Sequence, residues 1–186
     1  QFSGQDRIND ANQLTLAVTS RLFESDSGIE RFNLTVGQRQ YFKTPRVTLS
    51  STETSDTTAE QKRSDWLMTL GAQLWQGVST SYITQYNQQD NTLRRADLVL
   101  TWRPGEYKLL NLRYVNNRIA DTRQADISGQ WPLGNGWYAM GRYNYSITNR
   151  RALEILGGVE YNAGCWGLRL AAQRYATSTT DYDTSF

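Results

Sequence analysis

From Leu14 onward, apolar side chains recur at every second position, with polar or charged side chains between them. Leu14, Leu16 and Val18 alternate with Thr15, Thr19 and Arg21, and Phe32, Leu34 and Val36 with Arg31, Asn33, Thr35 and Arg39. Trp66, Met68, Leu70, Ala72 and Leu74 share a third apolar face, which Val78, Tyr82 and Tyr86 continue beyond Gly77. Ala96, Leu98, Leu100 and Trp102 oppose Arg95, Asp97 and Thr101; Leu110, Leu112 and Tyr114 oppose Asn111 and Arg113. Ala125, Ile127, Gly129 and Trp131 oppose Asp126, Ser128 and Gln130, and Trp137, Ala139, Tyr143 and Tyr145 oppose Arg142 and Asn144. In residues 152–177 Leu153, Ile155, Gly157, Val159 and Tyr161 stand against Glu154 and Glu160. After a turn at 162–164, Trp166, Leu168, Leu170 and Ala172 stand against Gly167, Arg169, Ala171 and Gln173. A period of two predicts strands, about ten of them, with a further run beginning at 181–186.

The connections alternate in kind. Turns at 76–77, 104–105, 132–136 and 162–164 are short and carry Gly; those at 43–63, 88–92 and 116–123 are longer or more polar. Residues 1–12 are polar and ungrouped, and 43–63 reads as an exposed loop rich in Ser, Thr, Asp and Glu. Strict up-and-down succession with short turns at one end predicts an antiparallel meander.

Two features decide which solvent the apolar face meets. The runs have the length of about ten residues that a tilted strand needs to cross hydrocarbon. Trp66, Trp75, Trp102, Trp131, Trp137 and Trp166 all fall at run ends, where interfacial girdles sit. Charges inside the runs avoid the apolar parity. Arg21, Arg39, Arg95, Asp97, Arg113, Asp126, Arg142, Glu154, Glu160 and Arg169 all take the other one, which would line a lumen. A charge on the lipid face near the midplane costs about 2–4 kcal/mol, so the segregation has a cause. Arg174 breaks it, near a run end where the cost is small.

The pattern therefore predicts an all-β chain: an antiparallel transmembrane β-barrel segment of about ten up-and-down strands, part of a larger barrel, with residues 1–186 forming one partial domain. A soluble β-sandwich or meander shares the alternation but turns its apolar face inward, and would fold without detergent.

Composition agrees with the membrane reading. Only 38% of residues are hydrophobic and the mean hydropathy is −0.65, yet six Trp and eleven Tyr are far too many for a disordered chain. A net charge of +2 points to no particular partner, nucleic acid included. No apolar run is long enough for a spanning helix. The chain shows neither an initiator Met nor a signal peptide, and its last run looks unfinished, so it reads as a fragment.

Enzymatic chemistry finds little to use. There is no His to act as base or orienter. Glu154 and Glu160 are about 20 Å apart along one strand, too far for a carboxylate pair. With no His and a single Cys, no metal-ligand spacing exists, and no cofactor is implied. Gly134-Asn135-Gly136 is a turn rather than a phosphate loop, and the triplets at Asn33 and Asn144 lie inside strands. In outer-membrane barrels short turns are periplasmic and long loops extracellular, so Cys165, next to a short turn, is expected at the periplasmic rim. There it is either a free structural thiol or one half of a bridge to a Cys outside the segment.

Four stretches carry a resemblance: FSGQDRINDANQLTLAVTSRL (residues 2–22), ERFNLTVGQRQYF (30–42), ISGQWPLGNGWYAMGRYNY (127–145) and GGVEYNAGCWGLRLAAQRY (157–175). They resemble the C-terminal barrel domain of the LptD family, the lipopolysaccharide-assembly proteins of the Gram-negative outer membrane. The resemblance implies a barrel of about 26 strands, plugged by an LptE-like lipoprotein. It implies a periplasmic domain fed with lipopolysaccharide by bridge proteins, exit of the lipid through a lateral opening, and insertion by the barrel-assembly machinery into outer-membrane lipid. The implied role is a translocon that places lipopolysaccharide in the outer leaflet without catalysis. A passive porin-like diffusion barrel is the alternative, and would need neither a plug nor a rim cysteine. The resemblance further implies that Cys165 matches the family's C-terminal cysteine, bridged to the N-terminal region. Many relatives carry adjacent cysteines here, whereas this chain has Gly164 and Cys165, so one bridge is implied and a pair is not.

Overall fold

The structure is a computed structural model that describes residues 12–42, 63–177 and 181–185. They form one antiparallel sheet: β1 (Gln13–Phe23), β2 (Glu30–Tyr41), β3 (Trp66–Trp75), β4 (Val78–Asn87), β5 (Thr92–Gly105), β6 (Lys108–Asn117), β7 (Thr122–Gly134), β8 (Trp137–Ser146), β9 (Arg151–Asn162), β10 (Gly167–Ala176) and β11 (Tyr182–Ser185). Spatial order equals chain order, β1 through β11, with no crossover. This is the expected meander, its eleventh strand formed by the run that begins at 181. Among the described residues there is no helix long and apolar enough to cross a membrane, which leaves crossing by strands open.

Because every pair is a neighbouring hairpin, the connections alternate between the two ends of the sheet. At one end stand the two-residue turns at 76–77, 106–107 and 135–136, with the 24–29 and 163–166 connections. At the other stand three four-residue loops, 88–91, 118–121 and 147–150, together with the long connection between β2 and β3, of which residues 43–62 lie outside the described residues. We call these the turn end and the loop end.

Turn chemistry explains the boundaries. Asn135 and Gly136 both have positive φ, 51° and 80°, the combination that matches the twist of a two-residue hairpin. Each four-residue loop closes on a residue with positive φ, Asn91, Asp121 or Arg150. The amide oxygen of Asn87 accepts from the N–H groups of Gln89 and Asp90, and that of Asn117 from Ile119 and Ala120. The hydroxyl of Ser146 accepts from Asn149 N–H in the third loop. These side chains do the work that keeps a four-residue reversal tight. The expected turn at 104–105 lies two residues later, and 132–136 narrows to 135–136. Pro104 and Pro132 stay within their strands beside register shifts, where a missing N–H costs no ladder bond.

Candidate functional site

The register places the polar positions of neighbouring strands on a common face. Asn33 lies opposite Arg21, Thr69 opposite Thr35, Ile83 opposite Thr69 and Asp97 opposite Ile83. Val115 follows opposite Asp97, Asp126 opposite Arg113, Arg142 opposite Ser128, Glu154 opposite Asn144 and Arg169 opposite Glu160. Since opposed residues in an antiparallel pair point the same way, all ten charged residues singled out above occupy one face. Most of the leucines occupy the other, Leu67, Leu109 and Leu156 being exceptions on the polar face.

On the polar face the charges do more than segregate. Arg113 grips Asp97 with Nε at 3.0 Å and Nη2 at 2.5 Å, and Arg95 reaches the same carboxylate at 3.9 Å. One strand further on, Asp126 is the register partner of Arg113 and accepts from Arg142 Nε at 2.7 Å. Arg142 then turns its Nη1 to Glu154 at 3.1 Å, and Glu154 accepts from Gln173 Nε2 at 2.8 Å. The result is a band of alternating sign crossing β5 to β10. Arg169 pairs with Glu160 at the turn end of β9 and β10, Arg21 lies 3.9 Å from Glu30, and Arg39 donates to the Thr15 hydroxyl at 3.2 Å. Asp97 is buried even in the open sheet, at 6% exposure, because its arginine folds over it. Among the described residues no three His, Cys, Asp or Glu side chains come together as a metal site.

Alternation placed Gln173 and Asn144 on the polar parity, but the contact of Gln173 with Glu154 escaped it; Asn144 stands on the same face, opposite Glu154. A second cluster at the loop end also escaped notice: Asp65 accepts from Gln85 Nε2 at 2.6 Å and Asn87 Nδ2 at 2.8 Å, with Arg94 at 3.5 Å. Arg94 is available there because the ladder skips it between Arg95 and Leu93. Nothing in the alternation marks such a bulge. Glu24, in the 24–29 turn, is held below its ordinary carboxylate range by the Ser27 hydroxyl and then by Arg31, whose Nη2 donates at 2.7 Å.

The apolar face is largely exposed, although Val78 and Ala96 on it are buried. Val18, Leu16 and Leu170 are 75%, 64% and 59% exposed, levels that a sheet packed on a protein core does not show. Five of the six tryptophans take the parity of this face, and Trp75 joins it through the bulge after Gln73, which sets it opposite Val78. Trp75, Trp102, Trp131, Trp137 and Trp166 lie at the turn end and Trp66 at the loop end. At the turn end they form a belt with ring contacts in two groups: Trp102 and Trp131 centroids are 6.0 Å apart, and separately Trp137 and Tyr161 4.9 Å, Tyr161 and Trp166 5.3 Å. Lys108 lies over Trp131 at 5.4 Å.

Cys165 sits in the 163–166 connection between β9 and β10, exposed, between Gly164 and the belt residue Trp166. The connection is tied by Ala163 N–H to Trp166 O at 2.9 Å and Gly164 N–H to the Asn162 side chain at 2.8 Å. The thiol therefore stands at the turn end.

The family model for LptD, described as LPS transport system D, matches residues 1–137. The chain belongs to the LptD family. Among its relatives, the LPS-assembly protein LptD of Thiobacillus denitrificans is 46% identical over 180 residues, 95% of this chain and 24% of that protein. The LptD proteins of Chromobacterium violaceum (39% identical, 97% of this chain, 23% of that protein) and Azoarcus sp. (38%, 97% and 22%) are similar to it over the same extent. The chain thus spans about a quarter of the length of the curated LptD relatives it matches. The sheet thus has two distinct faces: a broad apolar surface with aromatic rings along its turn end, and a polar surface whose charges pair with one another.

Proposed function

We propose that this sheet is part of the wall of an outer-membrane β-barrel that delivers lipopolysaccharide to the outer leaflet, as the names of its relatives suggest, and that it works as a passage rather than an enzyme. The apolar face meets lipid. The polar face, with Arg21, Arg39, Arg95, Asp97, Arg113, Asp126, Arg142, Glu154, Glu160 and Arg169, lines the lumen, where an LptE-like plug lipoprotein and the passing lipid are its neighbours. The turn end is periplasmic, with its tryptophans at the inner interface. Cys165 there forms a disulfide with a cysteine outside the segment, in a compartment that keeps such bonds. The bridge proteins that feed the passage and the machinery that inserts the barrel act through the full-length protein.

The observation that supports this reading best is the segregation of these ten charges, carried by eight strands, onto one face of the sheet. Placing one of these arginines at the bilayer midplane would cost about 2–4 kcal/mol, and an Asp or Glu less, so a lipid-facing wall requires the arrangement. A soluble sheet would share it but would cover the apolar face with a protein core. Depleting the full-length protein from cells tests the function. The account expects lipopolysaccharide reachable by antibody on intact cells to fall while the total is maintained. Unchanged surface lipopolysaccharide with reduced uptake of small solutes would support the porin-like alternative instead.

A further inference from the structure

Arg123 and Arg174 stand on the apolar face near the loop end. Arg174 is engaged, its guanidinium 4.3 Å from the centre of the Tyr182 ring. Arg123 is exposed and has no ion pair or ring contact among the described residues. Its backbone is fixed, with N–H donating to the Thr148 hydroxyl at 3.0 Å and the carbonyl accepting from Ile147 N–H at 2.8 Å. A guanidinium is thus carried at a set position on a surface otherwise made for hydrocarbon.

Directly along β7 from it the apolar face is notched. Ala125 lies between Tyr114 and Tyr145, its register partners on β6 and β8. The missing bulk at Ala125 leaves a cleft of about 450 Å³, walled by these tyrosines and by Leu98, Leu112 and Ile127. That volume is in the range of clefts that hold small ligands, about 300–1,000 Å³. Arg123 does not itself line the cleft; it is two residues from Ala125 on the same face, about 7 Å along the strand toward the loop end.

We propose that this notch binds one lipid whose headgroup carries phosphate. An acyl chain lies over Ala125 between Tyr114 and Tyr145, and the phosphate rests against Arg123. The proposal builds on the assignment of the apolar face to the bilayer. Charge selects the headgroup. The adjoining loops, 118–121 and 147–150, carry Arg118 and Arg150 against the single Asp121, so with Arg123 this stretch of the loop end is net positive. A guanidinium presents paired donors that fit phosphate oxygens better than a neutral headgroup. Shape selects the chain, since the floor of the notch is a methyl group and its walls are aromatic and aliphatic.

The test uses full-length protein in neutral detergent, titrated with dipalmitoylphosphatidic acid and read by native mass spectrometry. The affinity for the tightest-bound lipid should fall about fivefold in Arg123→Gln, the factor contributed by one basic side chain at an anionic interface. It should fall by at least as much in Ala125→Leu, which fills the notch and leaves the surface apolar. Arg103→Gln, an exposed arginine at the turn end, should bind as wild type. Binding unaffected by both Arg123→Gln and Ala125→Leu would overturn the site. So would equal binding of dipalmitoylglycerol, which has the same chains without phosphate, or displacement of the lipid by millimolar inorganic phosphate. The underlying face assignment is read on the same preparations: wild-type protein released from membranes by alkaline buffer without detergent would sink that assignment. An embedded protein whose lipid binding ignores both substitutions sinks the lipid site alone.

Discussion

At Gly136 the backbone has φ +80°, and a Cβ there would stand 2.5 Å from the Asn162 carbonyl oxygen. That carbonyl belongs to the end of β9, which receives the hairpin through a bond from Asn162 N–H to Gly136 O at 2.8 Å. Gly136→Ala therefore meets backbone rather than a flexible side chain, in addition to the strain of a left-handed residue. It should lower barrel stability by about 1–3 kcal/mol, seen as a shift of the urea midpoint of the full-length protein. Cys165 makes a prediction of another kind. On non-reducing gels the full-length protein should migrate differently from its reduced form, and Cys165→Ser should abolish the difference. Identical migration of wild type and variant under both conditions would remove the disulfide from the account.

At the scale of the strand, alternation made most of the fold legible. Each of β1 to β10 appears where a period of two places it, because a strand with one apolar face must write that face into every second residue. The charged members of the band were legible for the same reason. What could not be read were the places where the period breaks. Arg94 is skipped by the ladder, as is Leu153, which alternation grouped with Ile155 although Ala152 takes the place opposite Tyr145. A bulge is set by how two strands meet, and one strand's sequence does not contain it. Pairings such as Arg142 with both Asp126 and Glu154 likewise depend on the register between hairpins. The apolar parity has a direct test in β6. Leu112→Arg, at the middle of the strand, should cost about 2–4 kcal/mol of folded stability in bilayers, while Asn111→Arg next to it should cost less than about 1 kcal/mol. Urea titration of the two variants in liposomes compares them, and equal costs would contradict a lipid-facing Leu112.

For the whole molecule, an open sheet in hydrocarbon carries a penalty along each unpaired strand edge, where every free N–H and C=O costs several kcal/mol. Among the described residues β1 pairs only with β2, and β11 only with β10. The barrel reading therefore requires further strands of the longer protein to pair with both edges, so that the sheet becomes one arc of a closed wall. The band from Asp97 to Gln173 then curves around the lumen, and the aromatic belt around the outer circumference. The most direct measurement of that arrangement places nitroxide labels one at a time at positions 109 to 115 of β6, in the full-length protein reconstituted into bilayers, and compares collision with oxygen and with a water-soluble nickel chelate. The account predicts oxygen maxima at the positions of Leu110, Leu112 and Tyr114, and nickel maxima at those of Asn111, Arg113 and Val115. The opposite phase, or no alternation at all, would contradict a wall with lipid on its leucine face and water on its charged one.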